Sequence, residues 1–88
     1  MSDAVLVQLA RSSDAVDLLD DVNARGFAGS VESLGPEPTL RIRSGTHNPE
    51  ELSRDLWLAL EDWISGRRLP LVPLGAGDGL VVLRSPMA

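Results

Sequence analysis

Residues Asn48 to Gly66 limit the folds open to this chain more than any other stretch. They form the longest run with helical periodicity, hold both tryptophans, and carry start and stop signals at their two ends. Asn48 is a good N-cap, since its side-chain oxygen can accept from a first-turn amide that has no partner within the helix. Pro49 falls at the first helical position, where its missing N–H costs nothing. Glu51 stands three residues past the cap, placed to reach back to the Asn48 amide, and Glu50 and Glu51 sit at the positive end of the helix dipole. At the far end Gly66 is expected to take the left-handed conformation that closes a helix, with Arg67 and Arg68 at its negative end.

At 100° per residue, Leu52, Leu56, Ala59, Leu60 and Trp63 form one stripe, widened on a flank by Trp57 and Ile64. Arg54, Glu61 and Ser65 fall opposite. Leu58 lands among the polar residues, between Glu51, Asp62 and Ser65, and is either a scattered surface leucine or a contact for a partner. The tryptophans are expected in the core: truncating a buried Trp costs ~3–5 kcal/mol, a large part of a small domain's stability.

The chain of 88 residues reads as one domain, 1–88, with 85–88 expected to fray. It has no cysteine, so neither a disulfide nor a thiolate metal site holds the fold. No basic leader precedes an apolar run, and no stretch reaches the ~18 apolar residues of a membrane span; a cytoplasmic location is expected, without membrane partners. The net charge of −5 opposes binding to nucleic acid, whose affinity comes mainly from neutralised phosphates. All 8 basic residues are arginine, a usage expected of a GC-rich bacterial genome.

Along the chain, Ala4–Ala10 suits a central strand, apolar on both parities. Ser12 or Ser13 is expected to cap a helix whose apolar face is Ala15, Leu18, Leu19 and Val22, with Asp21 paired to Arg25 and Gly26 at the end. Phe27–Leu34 is a strand weakened by Gly29, Ser30 and Ser33. Pro36 and Pro38 mark a turn, and Thr39–Arg43 alternates with Leu40 and Ile42 inward and Arg41 and Arg43 outward. After the long helix, Pro70 and Pro73 confine 69–74 to an edge strand, the glycine cluster at 75–79 is a turn, and 80–84 is a better strand. The order β-α-β-β-α-β-β predicts an α+β fold: a ferredoxin-like βαββαβ sandwich with an additional C-terminal strand, and two helices on one face of a mainly antiparallel sheet. The direct crossover rule puts 69–74 beside the first strand; apolar content puts 80–84 there. Both placements stay open.

Equipment for catalysis is thin. His47 is the only histidine, and there is no tyrosine. No Ser/His/Asp set or metal-ligand spacing stands out, and Asp17, Asp20 and Asp21 read as a solvated helix face; no catalytic residue, metal or cofactor is expected. A general base at His47 would require a pocket lined by carboxylates. The 75–79 cluster is similar to a phosphate-cradling loop, but no helix follows it.

Two surfaces are expected to bind. An anion site would gather Arg11, Ser12, Ser13, Arg67 and Arg68 where the first helix starts and the second ends. An interaction surface would use Phe27, Arg41, Arg43, Trp57 and Leu58. RNA recognition by this topology needs stacking aromatics on the open sheet face, and the central strands have none. The leading expectation is a non-enzymatic bacterial protein that binds a protein partner, including itself as a homodimer. Alternatives are an anion- or small-ligand-sensing regulatory domain, whose layout is shared with domains of the ACT type, and an acidic inhibitor or immunity-type protein.

Overall fold

The computed structural model describes residues 4–75 and 79–84. In chain order these form β1 (Ala4–Gln8), α1 (Ser12–Ala24), β2 (Ala28–Ser33), β3 (Thr39–Arg43), a 3-10 turn (Pro49–Glu51), α2 (Leu52–Arg67), β4 (Val72–Gly75) and β5 (Leu80–Arg84). The fold is α+β, with one open sheet in the order β2-β3-β1-β5-β4. Every neighbouring pair is antiparallel except β1 and β5.

β5, not β4, lies beside β1. Leu6 pairs with Leu80 and Gln8 with Val82, while β4 is the outer edge. Apolar content thus prevails over the direct crossover. Leu80-Val81-Val82-Leu83 keeps every amide and can be paired on both sides, whereas Pro73 lacks a donor and fits an edge. β1 and β2 run parallel with β3 between them; β3 and β4 run parallel with β1 and β5 between them.

Both helices pack on one face. Ala15, Leu18 and Val22 of α1 share a core with Leu52, Leu56, Ala59, Leu60, Trp63 and Ile64 of α2. The strands contribute Val5 and Val7, Leu40 and Ile42, and Val81 and Leu83, alternate positions that point the same way. Trp63 is 2% exposed; Trp57 is half-buried on the flank of the same core. The helices are tied at Asp17, whose Oδ2 accepts from Trp63 Nε1 at 2.9 Å and lies 3.0 Å from Arg67 Nε. Gly29 explains the weak second strand. A Cβ there would stand 2.9 Å from Leu19 Cδ1, so the missing side chain lets α1 approach β2.

Several helix signals act differently from expectation. Asn48 does cap, its Oδ1 accepting from the Glu50 amide at 2.9 Å. The Glu51 carboxylate, expected on the Asn48 amide, instead lies 3.4 Å from Arg54. α1 has no serine cap: Arg11 precedes it in extended conformation without a side-chain cap bond, and Ser12 and Ser13 lie in the first turn. α2 runs through Gly66 to Arg67, and Arg68 takes the left-handed conformation (φ 54°, ψ 41°). The Leu69 amide donates to Ile64 O (3.0 Å) and the Arg68 amide to Ser65 O (3.2 Å), a Schellman closure. Leu69 packs against the core, so its burial sets the helix end rather than the ease of turning at glycine.

The expected fraying of 85–88 lies outside the described residues, as does the middle of the glycine turn, 76–78. No described helix is long and apolar enough to cross a membrane.

These closures fix the sign of three substitutions. Gly66→Ala fills open space in an exposed helical position and should stabilise the chain by ~0.5–1 kcal/mol. Arg68→Gly should also stabilise, by relieving a positive φ. Gly45 has φ +59° and no room, since a Cβ would meet Gly26 O, Ala28 N and Phe27 C; Gly45→Ala should cost ~1–3 kcal/mol or more. Urea unfolding of the three variants checks the signs.

Candidate functional site

Two surfaces carry unusual chemistry, one on each side of the sheet. The first begins at the loop after β3. The Thr46 amide donates to Gly26 O at 2.9 Å, and the Thr46 hydroxyl bonds the same oxygen at 3.2 Å. His47 Nε2 donates to Arg25 O at 2.8 Å; a carbonyl only accepts, so the proton sits on Nε2. The loop thereby covers carbonyls that the end of α1 leaves without helical partners. The imidazole lies flat on Phe27, ring centroids 4.0 Å apart and planes at 11°. Its Nδ1 is 3.5 Å from Asp55 Oδ2 on α2.

A broad open groove of about 640 Å³ runs beside this loop, lined by Arg25, Phe27, His47, Asp55, Leu58, Ala59 and Asp62. Arg25 bridges the helices, with Nε 2.6 Å from Asp21 and Nη2 2.6 Å from Asp62. These bonds, Asp62 first and Asp21 second, raise its pKa above the ordinary guanidinium value. With both carboxylates ionised, that contribution is complete below the unfolded pKa and is lost as pH rises through the folded one, beyond any physiological range. Salt is the practical lever, and each exposed pair is worth ~0.2–1 kcal/mol.

The groove has the carboxylate lining that a base at His47 would require. Yet Nε2 is committed to a main-chain carbonyl, and Nδ1 alone is left to exchange a proton, beside Asp55. Among the described residues no group of three or more His, Cys, Asp or Glu side chains converges to hold a metal.

The second surface is the face of the sheet away from the helices. Leu6 and Leu80 stand side by side there, as do Val82 and Leu74, with Val72 beyond. Val82 is buried yet outside the helix-side core, as its parity requires. Leu74 is 49% and Val72 36% exposed. Across β1 this apolar patch gives way to Arg41 and Arg43. Arg41 Nη2 donates to Glu32 Oε1 at 3.3 Å, while its Nε, though 3.0 Å from Oε2, is not directed at it.

The residues singled out from sequence are distributed over these surfaces. Phe27 and Leu58 meet at the groove, Phe27 only 5% exposed beneath His47 and Leu58 58% exposed. Arg41 and Arg43 project from the opposite face, and Trp57 sits on the far flank of α2, beside Leu80 and Val81. In the anion set, Arg11 pairs with Asp14 (3.2 Å) and Arg67 with Asp17. Ser12, Ser13 and Arg68 are exposed, and Arg68 pairs with no described carboxylate. Sequence reasoning missed Asp55 and Asp62 as partners of His47 and Arg25; their i, i+7 spacing on one helix face was the available signal.

If His47 holds the loop, His47→Ala loses a ring stack and a hydrogen bond, together ~1–3 kcal/mol. Guanidinium unfolding should show a lower midpoint with unchanged slope; an unchanged midpoint would count against the structural role. No protein-family model, curated protein or solved structure matches the chain.

Proposed function

We propose that this chain is a small, non-enzymatic binding protein of bacterial type that self-associates through the uncovered face of its sheet. Its plan is read as a variant of the ferredoxin-like βαββαβ sandwich, in which the additional strand β5 is inserted between β1 and β4. Folds of this plan serve many unrelated functions, so the reading rests on the surface and not on the plan.

One observation carries it: the apolar row Leu6, Leu80, Val82, Leu74 and Val72 on a face that no described element covers. Val82 is already buried, so association gains chiefly from the exposed Leu74 and Val72 and less from the half-buried Leu6 and Leu80; fully burying one exposed Val or Leu side chain is worth ~1.5–3 kcal/mol. The row is off-centre, over β1, β5 and β4. A two-fold axis running along the strands above β5 lays this half on its own copy, leaves the Arg41 and Arg43 of the two copies at opposite rims, and requires the exposed Arg84, opposite Val72, to turn outward to water. The three strands of this half, ~4.8 Å apart and ~17 Å long, give a face of roughly 250 Å² in projection. A standard interface buries ~800 Å² per partner, so this geometry supports a weak, concentration-dependent dimer.

Size-exclusion chromatography with light scattering across a wide concentration range is the test. The apparent mass should rise from monomer toward dimer. Leu74→Glu, at a half-exposed position, should keep the chain monomeric with an unchanged circular dichroism spectrum. A strict monomer at the highest concentration removes the self-association.

A further inference from the structure

The groove beside His47 lies on the helix side, away from the sheet face, and self-association leaves it free. Glu51, Asp55, Leu58 and Asp62 follow one another at i, i+4, i+7 and i+11 along the outer side of α2 and the turn before it. Leu58 is 58% exposed in the middle of this acidic row and takes no part in the core. Ala59 and the His47–Phe27 stack extend its apolar surface. The groove is broad and open, a shape suited to a length of polypeptide rather than an enclosed small molecule.

The charge is as specific as the shape. Asp62 gives one short contact to Arg25, yet its side chain is 70% exposed, and a carboxylate offers about four acceptor sites. Asp55 is 21% exposed between His47 and Arg54. Arg25, the arginine that lines the groove, is already engaged by Asp21 and Asp62, and Arg54 outside it by Glu51 and Asp55. What remains open is carboxylate oxygen around an aliphatic side chain, on a chain of net charge −5. Nucleic acid and anionic lipid are repelled by that field.

We propose that this groove docks a basic amphipathic segment of a partner protein. An apolar side chain of the segment seats against Leu58, Ala59 and the outer face of His47, and its flanking arginine or lysine side chains reach Asp62 and Asp55. The apolar contact holds the segment; the charges select it and speed its encounter.

The test selects random displayed peptides against the full chain carrying Leu74→Glu, so that its outcome is independent of dimer formation. Enriched peptides should combine one or more apolar residues with flanking arginine or lysine. Their binding should weaken about tenfold or more with Leu58→Glu, and with Leu58→Ser as a milder second variant. It should weaken again in about 0.5 M salt, where exposed charges are screened. Amide resonances of His47, Leu58 and Ala59 should move on titration of an enriched peptide. The proposal is overturned if no binder emerges, if the binders lack basic residues, or if both Leu58 variants bind unchanged. It is equally overturned if spermine moves the same resonances and displaces the peptides completely, since the groove would then be a simple cation site.

Discussion

The docking of α2 across the sheet is the contact on which the remaining structure depends. Six of its side chains enter the core, where they meet the inward residues of the strands and Ala15, Leu18 and Val22 of α1. Trp63 sits where the two helices and the sheet converge. Its indole body is buried and its N–H leaves the core to reach Asp17. One carboxylate on α1 thus receives both the indole and Arg67, and that shared acceptor sets how the two helices lie against each other. A buried indole without an acceptor would be left with an unpaired donor, so the pair disfavours other placements of α1 as well as stabilising this one.

The same arrangement decides what is left for function. Because both helices cover one face, the opposite face presents every second residue of all the strands. The insertion of β5 beside β1 then brings Leu6, Leu80, Val82 and Leu74 next to one another. Had β4 taken that place, Val72 and Leu74 would flank β1 with Pro73 in a central position, and the patch would be smaller and the ladder incomplete. On the helix side, the loop that closes over the end of α1 brings His47 onto Phe27 and opens the groove against the outer side of α2. Packing demands thus shape both surfaces, although Leu58, Leu74 and Val72 stand exposed outside the core.

The arginines show how context redirects a residue type. Seen as free cations they suggest an anion site, but Arg11 and Arg67 face aspartates of α1, Arg25 faces two carboxylates, and Arg54 lies within the acidic row of α2. With more acidic than basic residues in a small chain, each helix-borne guanidinium has a carboxylate within reach one turn away or on the neighbouring helix. Arg43, on the open face, pairs with no described carboxylate, and there the polar half of the sheet remains available to water.

Local patterns written in the chain determined the elements themselves: the amphipathic stripe of α2, the Asn48 cap with Pro49, the alternation of Leu40 and Ile42, and the proline-marked edge at 69–74. These are interactions within a few residues, and spacing records them directly. Where Leu58 points was equally legible, since 100° per residue fixes direction. Only the tertiary structure decided that β5 lies beside β1, that Leu69 rather than Gly66 closes α2, and that Phe27 is covered by His47 instead of serving as a surface aromatic. Each of these outcomes is a competition between partners distant in sequence, settled by which placement buries more apolar surface and leaves fewer amides unpaired. No local period encodes that balance.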